Sequence, residues 1–164
     1  ALLAHLEAGA ALRVVLDVWE PEPDISRPLL ARVELGSPHI AGYSYDGKMQ
    51  GTFMIYEALC RHLGRAPDKV LDALRPAVAD PERTMAGGDV WSALKTLIPQ
   101  VYAIAEDDQR LRELAAKAER GEADFAKGFD QLRKQYPKRR EFNNYRVSGA
   151  SGEARTRLNE VGFK

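Results

Sequence analysis

Cys60 is the only cysteine in the sequence, so the chain can neither close a disulfide on itself nor build a multi-cysteine metal site. That scarcity suits a reducing cytoplasm, and Cys60 itself reads as a small buried hydrophobe. An excess of one charge is missing too. With 24 basic and 24 acidic side chains the formal net charge is zero, so no general field draws the chain to nucleic acid or to an anionic membrane. No apolar run approaches the roughly 20 residues that a membrane-spanning helix needs. The opening ALLAHLEAGAAL has neither the basic flank nor the long apolar centre of a secretory signal. A soluble, cytoplasmic protein is expected, with no membrane and no nucleic-acid partner.

Several chemical motifs are absent as well. There is no G-x-S-x-G nucleophile elbow, and the spacing of His5, His39, His62 and Cys60 does not suit zinc, so serine-hydrolase chemistry and a bound metal are not expected. No G-x-G-x-x-G occurs either, which leaves out the glycine-rich turn that cradles a dinucleotide pyrophosphate. No internal repeat or low-complexity stretch is found. The chain also starts without Met, inside an apparent amphipathic helix, and a partial sequence is expected on that ground.

What is present is a hydrophobic fraction of 45% over 164 residues, enough for a real core. Leu2, Leu3 and Leu6 lie at helical spacing before Gly9. Leu12 to Leu16 (LRVVL) has the character of a parallel strand buried on both faces. Pro21 and Pro23 then force an irregular loop. A helical turn at Pro28 to Ala31 and a short strand at Val33 to Leu35 lead into the SPHIAGYS loop.

From Gly47 a helix is expected, with Met49, Phe53, Tyr56, Leu59 and Leu63 on one face and Gly64 as its stop. Arg65 to Gly88 reads as a connection holding one helical piece at Val70 to Leu74. Apolar residues from Trp91 to Ile104 follow at helical spacing, kinked or divided at Pro99. Helices at Arg110 to Arg120, Asp124 to Arg133 and Glu153 to Val161, and a strand at Glu141 to Val147, complete the reading.

Chemistry concentrates between Asp17 and Tyr45. A carboxylate at the end of a parallel strand lies on the edge where open α/β sheets bind ligands, and Asp17 has that place; its plainer reading is a turn cap. Glu20 and Glu22 follow in the proline-stiffened loop, where solvated surface carboxylates are the plainer alternative. His39 sits in a loop of small residues. Beside a carboxylate, with Glu22 the leading partner, it would form an acid–base unit, because the anion fixes the imidazole tautomer and stabilises the protonated ring. Otherwise it is a hydrogen-bonded structural residue, the reading kept for His5 and His62. The basic run Lys138-Arg139-Arg140 reads as a solvated face or interface charge.

DVWEPEP resembles the D-V-[FW]-x-x-E-P segment of the D-isomer-specific 2-hydroxyacid dehydrogenases, and SPHIAG resembles their T-P-H-[IL]-[AG]-[GW] segment, with Ser37 in place of the commoner Thr. Within that superfamily HIAGYSYDGKMQGT is similar to the H-I-A-G-Y-[ST]-x-[ED]-G-K-x-x-G-T block of the erythronate-4-phosphate dehydrogenases, with Asp46 where Glu is usual. The tail FDQLRKQYPKRREFNNYRV resembles the carboxy-terminal dimerisation domain of the same family.

The resemblance implies an α/β chain: the C-terminal part of a Rossmann-like NAD-binding domain over residues 1–64, a connection over 65–84 and a small α+β dimerisation domain over 85–164. It implies His39 as the acid–base group, Glu22 as the residue orienting it, Asp17 and Gly42 as NAD contacts and Tyr43 as a substrate contact. The implied activity is NAD-dependent oxidation of 4-phospho-D-erythronate to 3-hydroxy-2-oxo-4-phosphooxybutanoate, in pyridoxal 5'-phosphate biosynthesis, by a homodimer. The family's catalytic arginine would lie just before Ala1, so the isolated segment is expected to be inactive. The alternatives are an inactive dimerisation or interaction module and a related 2-hydroxyacid dehydrogenase of another substrate.

Overall fold

In the computed structural model, which describes residues 1–85 and 87–164, the elements run α1 (Leu2–Glu7), β1 (Val15–Leu16), α2 (Arg27–Arg32), β2 (Leu35–Gly36), a 3-10 turn (Ala41–Tyr43), α3 (Tyr45–His62), α4 (Leu71–Leu74), β3 (Glu82–Thr84), α5 (Val90–Val101), α6 (Ile104–Glu119), α7 (Phe125–Lys134), a second 3-10 turn (Phe142–Asn144), β4 (Arg146–Ser148) and α8 (Gly152–Val161). The class is α/β, with helices around two small parallel sheets, β1-β2 and β3-β4. The chain divides into two compact units, residues 1–41 with 103–137 and residues 42–102 with 138–164. These boundaries differ from those expected at 64 and 84. Segment 103–137 packs with the front of the chain because its helices carry the groups that complete the front core.

In the first unit β1 and β2 pair in parallel, Val15 opposite Leu35 and Leu16 opposite Gly36, with α2 as the crossover. Ser26 caps α2, its Oγ accepting from the Leu29 N–H, and Pro28 follows where a helix has no N–H to lose. The strand expected over Leu12 to Leu16 is thus shorter and less buried than foreseen: Val15 is 56% exposed and Leu12 54%. A two-stranded sheet covers β1 on one edge, and that is too little to enclose its outer side chains. The core is built by Trp19, Ile25, Leu30 and Val33 against Leu111, Ala115, Phe125 and Phe129.

Polar groups on α6 lock this packing. The Arg112 guanidinium donates to the carbonyls of Leu30 at 2.8 Å and Val33 at 2.9 Å, satisfying acceptors at the end of α2. Asp108 holds that guanidinium and accepts from the Gly36 N–H at 2.7 Å.

In the second unit Ser44 caps α3 through Gly47 N–H, and Asp89 caps α5 through the N–H groups of Trp91 and Ser92. Pro99 lies inside α5, which continues to Val101; the break before α6 comes at Tyr102, whose φ of -144° is extended. β3 falls inside the expected connection and pairs in parallel with β4, Arg83 opposite Val147. Met85, Leu97, Tyr145, Val147, Leu158 and Phe163 form the core of this unit.

The expected apolar face of α3 is only half covered. Met49, Phe53 and Tyr56 are partly buried, whereas Leu59 and Leu63 are 53% and 57% exposed. Cys60 is half-buried rather than enclosed. No helix among the described residues is long and apolar enough to cross a membrane.

The residue α3 does bury is a charge. Asp46, 3% exposed, accepts from Arg140 Nε at 3.0 Å and Nη2 at 2.9 Å, from the Glu141 N–H at 2.8 Å and from Asn144 Nδ2 at 2.9 Å. Arg140 is therefore the partner of a buried carboxylate, not a solvated charge. The same contacts explain why the strand expected from Glu141 starts only at Arg146: the Glu141 N–H and the Asn144 side chain are committed to Asp46, and a 3-10 turn replaces ladder pairing.

Burial alone would push the Asp46 carboxyl up, but the bonds from Arg140 and Glu141 and the charges of Arg140 and Arg75 outweigh it, and the net shift is downward from 3.8. The stability this group contributes is complete above its ordinary value and is lost as pH falls through the lower folded value. Asp46→Asn is expected to cost up to about 3–5 kcal/mol at neutral pH, because it leaves Arg140 without a counter-charge. In denaturant titrations the gap between the two proteins should be widest at neutral pH and narrow below pH 3.8.

Candidate functional site

Where β1 ends, the chain turns through Asp17 and Trp19 into the proline loop, whose Glu20-Pro21 and Glu22-Pro23 peptides are both cis. Trp19, 6% exposed, anchors the turn: its indole Nε1–H donates to the Ser37 carbonyl at 2.9 Å and its backbone N–H to Glu22 Oε1 at 2.8 Å. The other Glu22 oxygen, Oε2, stands 2.8 Å from His39 Nδ1. Glu22 and His39, seventeen residues apart, therefore meet as the pair that residue type and position suggested. The Glu22 side chain is 19% exposed and that of His39 43%, so the anion is sheltered while the ring reaches solvent.

An ionised Glu22 can only accept, so beside it the ring proton belongs on Nδ1 and Nε2 is left as the acceptor nitrogen. A carboxylate and an imidazole so placed could serve as an acid–base unit.

The His39 backbone is unusual. Among the described residues it is the one non-glycine with a positive φ, 56°. A left-handed residue with a Cβ costs roughly 1–2 kcal/mol. Asp17 supplies the compensation: Oδ1 accepts from Ser37 Oγ at 2.7 Å and Ile40 N–H at 2.8 Å, and Oδ2 accepts from Ala41 N–H at 2.9 Å. Hydrogen bonds to a charged group contribute about 1.5–3 kcal/mol each, so together they exceed the strain. Ser37 and Ile40, 4% and 1% exposed, hold both flanks of the loop in the protein interior.

Gly42 and Tyr43 belong to the second unit. A Cβ built on Gly42 meets nothing within 4 Å, so space at that backbone is open. Lys48 places its Nζ 4.1 Å from the Tyr43 ring centroid, one turn into α3.

Two participants escaped sequence reading. Trp19 was legible only as a letter in a motif, yet it fixes both the Glu22 carboxylate and the Ser37 carbonyl. Asp107, 3% exposed, accepts from Arg110 and from Tyr136 Oη at 3.0 Å, beside a cavity of about 260 Å³ that Pro38 also lines. Its position on an amphipathic, charged helix carried no signal of burial. Among the described residues no group of three His, Cys, Asp or Glu side chains is placed to hold a metal ion.

Residues 76–162 match the family described as a domain of unknown function, DUF3410. The chain belongs to this family. It is also similar throughout its length to proteins named erythronate-4-phosphate dehydrogenase. That of Cellvibrio japonicus (strain Ueda107) is 54% identical over 167 residues, an alignment covering 100% of this chain and 44% of the relative. That of Klebsiella pneumoniae (strain 342) is 44% identical over 163 residues, covering 99% and 41%. That of Edwardsiella ictaluri (strain 93-146) is 45% identical with the same coverages. This DUF3410 chain thus spans about two fifths of the length of these relatives, and the resemblance carried by the DVWEPEP and HIAGYS motifs extends across all of it.

Gly36 shows how tightly the site is backed. A Cβ there would lie 2.8 Å from Leu30 Cδ1 and 2.9 Å from Trp19 Cζ2, and the indole cannot retreat without losing its bond to Ser37. Gly36→Ala is expected to destabilise the protein by about 1–3 kcal/mol, despite alanine's better backbone entropy. Denaturant unfolding measures the loss, and Trp19 emission in a Trp91→Phe background should shift with it.

Proposed function

We propose that this chain carries the acid–base part of the site of an NAD-dependent dehydrogenase that oxidises 4-phospho-D-erythronate to 3-hydroxy-2-oxo-4-phosphooxybutanoate, in pyridoxal 5'-phosphate biosynthesis. The observation that carries the reading is the 2.8 Å contact between Glu22 Oε2 and His39 Nδ1 in a part-buried setting. The names of the relatives support the substrate.

His39 takes the C2 hydroxyl proton on Nε2, and Glu22 stabilises the imidazolium that forms. Without such a base, oxidation would leave a high-energy alkoxide; a positioned base contributes about 10²- to 10⁴-fold. NAD, when bound, supplies the hydride acceptor. Asp17, at the strand end, is assigned to the nicotinamide end of NAD, and Gly42, with open space at its backbone, to the cofactor. Tyr43, with Lys48 over its ring, is assigned to the substrate, whose phosphate a nearby cation favours. On this reading residues 1–64 complete a Rossmann-like NAD domain in a cytoplasmic enzyme.

Residues 85–164 are assigned to homodimer formation, a role supported by Trp91, 69% exposed on α5. Were the chain only an association module, it would dimerise without binding cofactor. Sedimentation together with an NADH titration separates the two readings.

The decisive activity test uses a polypeptide that also carries the portion present in the longer relatives. His39→Gln there is expected to lower turnover about 10²- to 10⁴-fold with little change in cofactor affinity. Turnover within a few-fold of the unsubstituted protein would exclude His39 as the base.

A further inference from the structure

Asp17 touches no atom of the imidazole through its three bonds, which end on the Ser37 hydroxyl and on the backbone N–H groups of Ile40 and Ala41. These donors bracket His39 on both sides. Ile40 follows His39 directly and Ser37 stands two residues before it, so one carboxylate holds the loop on both sides of His39 and restricts its φ and ψ, with φ at 56°. The left-handed backbone in turn decides where the ring projects from the loop, and here Nδ1 arrives 2.8 Å from Glu22.

We propose that Asp17 is a positioning residue for the acid–base pair: it clamps the histidine loop in its left-handed form and so determines the tautomer of a ring it does not contact. The proposal rests on reading Glu22 and His39 as that pair. Contact with a nicotinamide is compatible with it, since a carboxylate has about four lone-pair sites and the clamp uses three. The charge is required, because an amide in the same place would accept at one end only and set its NH₂ against another N–H.

The test reads the ring nitrogens of His39 by NMR in the ¹⁵N-labelled chain. The unsubstituted protein should show the proton on Nδ1, and Glu22→Ala should move it toward Nε2. Asp17→Asn is expected to produce the same shift, although Asp17 lies outside the pair. Ring signals unchanged by Asp17→Asn but changed by Glu22→Ala would overturn the proposal. If resonances of the core residues Phe129 and Leu158 show that Asp17→Asn does not fold, Ser37→Ala, which removes one clamp bond, carries the test: a partial shift supports the clamp and an unchanged ring overturns it.

In the longer polypeptide Asp17→Asn should lower kcat about 10²-fold, as expected for a misplaced base, with a smaller change in KM. Loss of cofactor affinity with an unaltered ring would make Asp17 a cofactor contact alone and overturn the clamp. A ring shift without turnover from any version would uphold the clamp and reject the dehydrogenase reading.

Discussion

A histidine held in the left-handed region is the constraint around which the front of this protein is arranged. Such a backbone is unfavourable for any residue with a Cβ, so it persists only where the surroundings over-determine it. Here the surroundings are two carboxylates with different tasks. Asp17 binds the loop on either side of His39, and Glu22 binds the ring. Trp19 joins the two, since its backbone N–H holds Glu22 and its indole holds the carbonyl of Ser37, itself a clamp donor. Gly36 is small because Leu30 and Trp19 already occupy the space a side chain would need.

Both compact units use the same physical device, a charged side chain spent on backbone groups far away in sequence. In the first, Arg112 reaches the carbonyls of Leu30 and Val33, and Asp108 reaches the Gly36 N–H. In the second, Asp46 takes the Glu141 N–H together with Arg140 and Asn144. Buried ionic groups add little net stability over apolar ones of the same shape, but their partners are few and directional. They select which segments meet. Phe129, Leu111, Leu97 and Leu158, all fully buried, supply the non-directional driving force.

Much of the helical framework was legible in the sequence. Apolar spacing, Ser and Asp caps and glycine stops are local signals, and α1, α3, α7 and α8 arise close to where these signals lie. The strands were less legible. β3 has three residues inside a Pro- and Ala-rich connection and forms because β4, whose residues pair with it across a separation of 64, offers a ladder. The strand expected from Glu141 is cut short by the demands of Asp46. The α3 stripe ending in Leu59 and Leu63 has helical periodicity without burial, since periodicity reports a helix and not what covers it.

The sequence by itself marked Asp17, Glu22 and His39 as candidates by type and motif, because a carboxylate beside an imidazole is useful chemistry wherever it occurs. Tertiary structure alone decided that Glu22 meets Nδ1, that Asp17 bonds the loop, that Trp19 and Asp107 are buried, and that Arg140 pairs with the buried Asp46. The physical reason is range. Helix spacing and capping act over a few residues, whereas hydrogen-bond partners and burial depend on segments that come together only when the chain has folded.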